Sequence, residues 1–323
     1  MAKLKFFLFL IFWGIGAWAF ELQCLKISEI PKGDAAGGFS GLAVTEKGFV
    51  FVSDDRGRFG KPRVHIFDRE LKALGPRFLS GQLPKVLDLE GIAPWGAGWL
   101  VISEGDGNSK PRVQPQLLVL DENFGLLQTI DFPKRYHMEP LGKQKSGVRS
   151  GYSVEGLTVA SDLVIYTALE KGLREDPEGW TRISRWELEG KDFRHREDRF
   201  WRLDSAEESG QEFARGVTEI LALKDGSLLI LERSLQLNKK HGLRFGGRLV
   251  RTHWKDLPVQ VPQREKIKYE IVWDPLTKNC GEKEFPSANW EGLSVHGDRL
   301  WMVSDNNLDS GVPTLLAEFS ILW

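Results

Sequence analysis

One six-residue pattern recurs five times along the 323 residues and constrains the fold more than any other feature. It reads FSGLAV at 39–44, LEGIAP at 89–94, VEGLTV at 154–159, TEILAL at 218–223 and WEGLSV at 290–295. After each copy comes a short turn and a second apolar run ending in acid: FVFVSDD, WLVISEGD, LVIYTALE, LLILER and LWMVSDN. Regular self-similarity marks a repeat architecture. A spacing of about 50 to 70 residues suits a four-stranded propeller blade with its loops. In the fourth copy, aligned on its glutamate, Ile220 stands where the others have glycine.

Third and fourth strands can be read within the units. They fall at 64–68 and 77–80, at 117–121 and 126–132, at 183–188 and 193–203, and at 248–254 and 268–273. The fifth unit has only 314–322 left and is one strand short, while 22–30 precedes the first unit unclaimed. A terminus that completes the last blade removes an exposed sheet edge. The expected fold is therefore an all-β, five-bladed β-propeller of four-stranded blades, with 22–30 as outer strand of the fifth. Six blades is the alternative, if the long fourth spacing hides a further unit. Five copies, four of them glycine-marked, at one place in each unit argue against a two-sheet sandwich. All-β chains of this length commonly form one domain, here 20–323.

Residues 1–19 read as a signal peptide. Lys3 and Lys5 precede an apolar run at 6–15, and Ala17-Trp18-Ala19 resembles a cleavage site. The run is short of the roughly 20 residues a membrane span needs. The mature chain is expected in the periplasm or outside the cell, free of the membrane. Cys24 and Cys280 are the only cysteines, and in an oxidising compartment they most simply form one disulfide. If 22–30 closes the fifth blade, the two lie close together. Removing Lys3 and Lys5 takes the formal charge from −1 to −3 (−1 − 2), which excludes a general nucleic-acid binder.

The innermost strand of each blade lines the propeller axis, so equivalent positions meet in a ring. That position holds Ser40, Glu90, Glu155, Glu219 and Glu291. Converging carboxylates repel, and such a cluster must protonate in part or hold a cation. Oxygen-only ligands favour calcium over the smaller magnesium. The plainer alternative is that each residue caps a turn or bonds a backbone amide. Asp54, Glu104 and Glu170 end the second strands on the same face and are candidate general bases. The loops there are basic. Arg56, Arg63, Arg112, Lys171 and Arg233 are candidate ligands for an anion. No H-E-x-x-H, G-x-S-x-G, Walker or dinucleotide signature occurs.

Taken in order, these motifs resemble the phytase-like family described by esterase-like activity, over essentially the whole mature chain. The resemblance implies a secreted bacterial propeller that hydrolyses esters, phosphate esters among them. It supplies no catalytic residues. The ring also resembles that of calcium-activated nucleotidases of the apyrase type, five-bladed propellers with an axial calcium ion. The expected function is calcium-dependent hydrolysis of a small anionic ester by a monomer. The alternative is a non-catalytic propeller that binds a ligand or protein around a structural ion.

Overall fold

The second strand of each unit is apolar at nearly every position, which is tolerable only where both faces of a sheet are covered. A computed structural model describes residues 20–31, 37–84, 86–203, 211–238, 242–262, 267–275, 277–309 and 311–323. The expected signal peptide, 1–19, lies outside the described residues. After the terminal strand β1 (Glu21–Glu29), blade one comprises β2 (Phe39–Thr45), β3 (Gly48–Ser53), β4 (Arg63–Phe67) and β5 (Ala73–Phe78). Blade two comprises β6 (Leu89–Trp95), β7 (Gly98–Ser103), β8 (Gln116–Leu120) and β9 (Leu126–Asp131). Blade three comprises β10 (Val154–Ser161), β11 (Val164–Leu169), β12 (Trp180–Glu189) and β13 (Asp192–Arg202).

Blade four comprises β14 (Gln211–Ala222), β15 (Ser227–Asn238), β16 (Gly242–His253) and β17 (Glu270–Trp273). A small hairpin follows, β18 (Asn279–Cys280) and β19 (Lys283–Glu284). Blade five comprises β20 (Asn289–His296), β21 (Arg299–Asp305) and β22 (Leu315–Leu322), and β1 pairs with β22 as its outer strand. The chain is thus a five-bladed propeller closed by its N-terminal strand. Among the described residues the long fourth spacing holds no sixth blade: β14, β15 and β16 are each 12 residues long.

Strand period explains the core. Along β3, Phe49 and Phe51 pack toward blade five with Trp301 and Val303. Val50 and Val52 pack toward blade two with Leu89, Val101 and Leu118. The same division recurs in β7, where Val101 faces blade one and Leu100 and Ile102 face blade three. Five apolar layers result, one between each pair of neighbouring blades. Cys24 of β1 is bonded to Cys280 of the small hairpin, with Cα atoms 4.9 Å apart, which ties the closing strand to the segment entering its own blade.

The inner strands touch in the order β2, β6, β10, β14, β20 and back to β2. Motif glycines permit this approach. A Cβ at Gly41 would stand 2.3 Å from the Glu90 carbonyl oxygen, one at Gly156 2.9 Å from the Ile220 nitrogen, and one at Gly292 3.0 Å from the Leu42 nitrogen. Each glycine therefore meets the backbone of the next blade, and the sequence marks the positions where the ring is tightest.

Candidate functional site

Each inner strand carries a bulge near its start, where one residue has no cross-strand partner. Pairing skips Ser40 in β2, Glu155 in β10 and Glu291 in β20, and in β6 the irregularity spans Glu90 and Gly91. In β14 it skips Thr218, because the shift falls between Val217 and Glu219. A bulge re-aims the unpaired side chain. Ser40, Glu90, Glu155, Thr218 and Glu291 therefore occupy equivalent places around the axis, and all are buried.

This corrects the fourth copy by one residue. Glu219 occupies the glycine position, and its carboxylate accepts the N–H groups of Leu157 at 2.8 Å and Ile220 at 2.9 Å. The Leu293 amide of blade five faces it as well. It binds backbone below the ring instead of joining the other acids. The same slip moves the second strand. Arg233, not Glu232, follows the residue paired with Val217, so Arg233 stands with Asp54, Glu104, Glu170 and Asp305. Glu232 lies between blades, accepting from Trp201 Nε1 at 2.6 Å, Arg215 at 3.0 Å and Arg248 at 2.7 Å.

A third layer faces the second, formed by Gly38, Asp88, Ser153, Gly216 and Asn289. The amides of Asp54, Glu104 and Glu170 bond the carbonyls of Gly38, Asp88 and Ser153 at 3.0, 3.0 and 2.7 Å. Arg233 pairs with Gly216 and Asp305 with Asn289. Three layers thus gather Asp54, Asp88, Glu90, Glu104, Glu155, Glu170, Glu291 and Asp305 on one face. Two guanidiniums answer them. Arg233 binds Glu170 at 2.6 Å, Asn289 at 3.1 Å, and Glu291. Arg56 binds Glu104 at 3.0 Å and Asp88.

Electrostatics follow from this excess. Burial, then the nearby Asp305 charge, pushes the Asp54 carboxyl up to about 7. Burial and the facing Glu104 push Asp88 up to about 9. Burial first, and neighbouring carboxylates second, raise Glu90 and Glu155 well above the usual range. Glu291 is raised by burial against the opposing pull of Arg233. Buried oxygens without hydrogen-bond partners belong to the same three layers: Ser40 Oγ, Asp54 Oδ1, Asp88 Oδ1, Ser153 Oγ and Glu170 Oε2. An all-oxygen donor set of this kind fits a hard cation such as calcium.

The family model described as phytase-like, esterase-like activity of phytase, matches residues 34–308. The chain belongs to the phytase-like family. No curated protein matches the phytase-like chain. Among solved structures it is similar in fold to a candidate glycoside hydrolase from Parabacteroides distasonis, at 11% identity over 88% of this chain and 86% of that one, TM-score 0.48. A candidate glycoside hydrolase from Bacteroides ovatus matches at 12% identity over 88% and 86%, TM-score 0.47. A candidate oxidoreductase (glucose dehydrogenase) from Thermus thermophilus matches at 12% over 91% and 99%, TM-score 0.44.

In the phytase-like propeller the five expected anion ligands separate. Arg56 is partly exposed and bonded to Asp88 and Glu104, and Arg233 is bonded to Glu170 and Glu291. Half-buried Lys171 lies 3.6 Å from the centre of the Tyr152 ring. Burial holds its ammonium below the usual lysine range, against the pull of Glu170. Arg112 is spent on the carbonyls of Gly107, Glu139 and Gly142 at 3.1, 2.5 and 2.7 Å, stapling one loop to another. Arg63 is no loop residue. It begins β4, is buried, and pairs with Asp55 at 2.6 Å.

Removing one partner of a buried ion pair strands the other charge. Arg63→Ala should therefore cost about 3 kcal/mol of stability in urea denaturation and leave anion affinity unchanged. Lost affinity with intact stability would return Arg63 to the site. Sequence reading missed Asp88, Ser153, Thr218 and Asn289. Their signal was the apolar pair that brackets each ring residue, Phe39/Leu42 through Trp290/Leu293, which places Asp88 two before Glu90.

Proposed function

We propose that this phytase-like propeller is an exported, calcium-dependent hydrolase of a small anionic ester, acting as a monomer at the acid-lined axial face. The observation that carries the reading is the set of buried carboxylates and unpartnered oxygens gathered in the three layers of one face, in a family described by esterase-like activity. Ser40, Glu90, Glu155 and Glu291 are the residues that would hold calcium, and Glu219 is not among them. When bound, the ion would polarise the ester oxygen and lower the pKa of an attacking water.

Asp54 is the best general base. It is the most exposed of the three candidates, and a carboxyl near 7 is matched to proton transfer at neutral pH. Glu104 is tied to Arg56 and the Ser153 amide, and Glu170 to Arg233, so both orient cations and loops. Lys171 and Arg56, both partly exposed, would hold the anionic end of the substrate. The disulfide suits an oxidising compartment.

A ligand that binds only the folded state raises its stability, by about 2.7 kcal/mol at a hundredfold excess over Kd. Chelator is expected to lower the melting temperature by several degrees and to abolish turnover of 4-nitrophenyl phosphate or acetate, with calcium restoring both better than magnesium. Asp54→Asn should cut the turnover on the order of a hundredfold or more. Calcium binding without turnover of any ester would leave a non-catalytic binding propeller. Equal melting temperatures with and without chelator would remove the metal.

A further inference from the structure

The rings are not symmetric in charge, and the asymmetry says where a cation would sit. Blade four contributes Thr218 and Arg233, with Gly216 behind them, and no acid. Its guanidinium reaches Glu170 of blade three and Glu291 of blade five, so that side of the axis already has its counter-charge. Blade two carries more acid than its counter-charge meets, because the single guanidinium of Arg56 is shared by Asp88 and Glu104. It contributes an acid at every layer, Asp88, Glu90 and Glu104, and carboxylate oxygens of the three lie within 4.8 Å of one another.

The acids alone would not make a site. The unpartnered oxygens beside them do. Asp88 is 0% exposed, yet its Oδ1 has no partner. Its other oxygen is taken by Arg56, which also holds Glu104. The neighbouring blades offer a hydroxyl on each flank. Ser40 of blade one is 2% exposed and Ser153 of blade three is 1% exposed, and the Oγ of each is unpartnered. The backbone N–H of Ser153 is bonded to Glu104 at 3.2 Å, which sets that serine against the cluster. Buried hydroxyls seldom remain unsatisfied without a ligand or water to meet them.

We propose that the cation lies off the propeller axis, in a pocket of blade two built by Asp88, Glu90 and Glu104 and flanked by Ser40 and Ser153. Arg233 then serves as the fixed cation of the opposite side. The two charges would divide one acidic ring between them. The proposal rests on the metal reading above, keeps Ser40 and Glu90 from its ligand set, adds Asp88, Glu104 and Ser153, and takes Glu155 and Glu291 out of it. Calcium accepts six to eight oxygens in flexible geometry, which three carboxylates, hydroxyls and water supply.

Calorimetric titration of the chelator-treated protein with calcium tests it, with folding checked by circular dichroism. Asp88→Asn and Glu104→Gln nearly keep shape, and each is expected to weaken calcium affinity a hundredfold or more. Glu291→Gln, held by Arg233 across the ring, should weaken it less than fivefold. If Asp88→Asn fails to fold, Glu104→Gln carries the comparison alone. Wild-type affinity in the folded blade-two variants, or an equal loss in Glu291→Gln, overturns the off-axis position while leaving a metal in place. No heat of binding in the wild type overturns the metal reading itself and this inference with it.

Discussion

Glu219→Ala should lower stability by about 4–6 kcal/mol and still bind calcium as the wild type does. Glu219 is fully buried on the axis and accepts the amides of Leu157 in blade three and Ile220 in its own blade. Alanine removes the acceptor and leaves these two amides, and that of Leu293, buried. Each unpaired group costs about 1–3 kcal/mol, and the vacated space adds a packing loss. In a chain of this size that is a fall of roughly 10 °C or more in melting temperature. Glu219→Gln is the control. Both amides bond the same oxygen, Oε1, and glutamine retains it, so its loss should be a small fraction of the alanine effect. A ring ligand would behave oppositely, with modest loss of stability and abolished calcium response in both variants. That outcome would return Glu219 to the metal.

The reason the sequence misplaces Glu219 is instructive. Aligning the copies on Ser40 and the four glutamates makes the fourth look like a copy that lost its glycine. Aligning them on their apolar residues gives Phe39, Leu89, Val154, Val217 and Trp290, then Leu42, Ile92, Leu157, Ile220 and Leu293. Those ten side chains pack in the five inter-blade layers, so they fix the register, and the polar residues between them take whatever place the bulge leaves. Core packing constrains identity through volume and burial, whereas a carboxylate is accepted in the ring or below it provided its charge is met. The blade count, the closing strand and the disulfide were legible because each follows from apolar patterning or from a cysteine pair. Arg63 and Arg112 were not, because a basic residue between strands has the same sequence signature whether it meets solvent, an acid or a carbonyl.

The charge asymmetry was hidden for the same reason. Arg233 reads as a loop arginine one residue past an acid, and Glu232 as the fourth member of an acidic series. With the register corrected, the guanidinium enters the ring and Glu232 leaves it for Trp201, Arg215 and Arg248. Gly216 shows how closely that corner is built: a Cβ there would stand 2.3 Å from Glu170 Cγ. Glu170 reaches Arg233 across a position that admits no side chain, so the pairing is built into the fold.

Breaking the disulfide should have an effect of similar size by a different route. Cys24 and Cys280 are 256 residues apart in sequence, and closing a loop of that length removes much of the entropy of the unfolded chain, worth about 5 kcal/mol on a chain-entropy basis. The folded state is affected as well. β1 covers the outer edge of β22 from Glu21 opposite Leu322 to Glu29 opposite Leu315, and Leu22 and Cys24 pack in the layer between blades four and five. Without the bond, only strand pairing and that packing hold β1, and its release would expose an apolar edge open to pairing with another chain. Cys24→Ser/Cys280→Ser should therefore shift the urea midpoint downward by the equivalent of several kcal/mol, lose amide-exchange protection first in β22, and aggregate sooner on heating. Thiol titration of the unfolded, unreduced wild type should find none. Two free thiols there, or an unchanged urea midpoint in the double variant, would show that strand pairing alone closes the propeller.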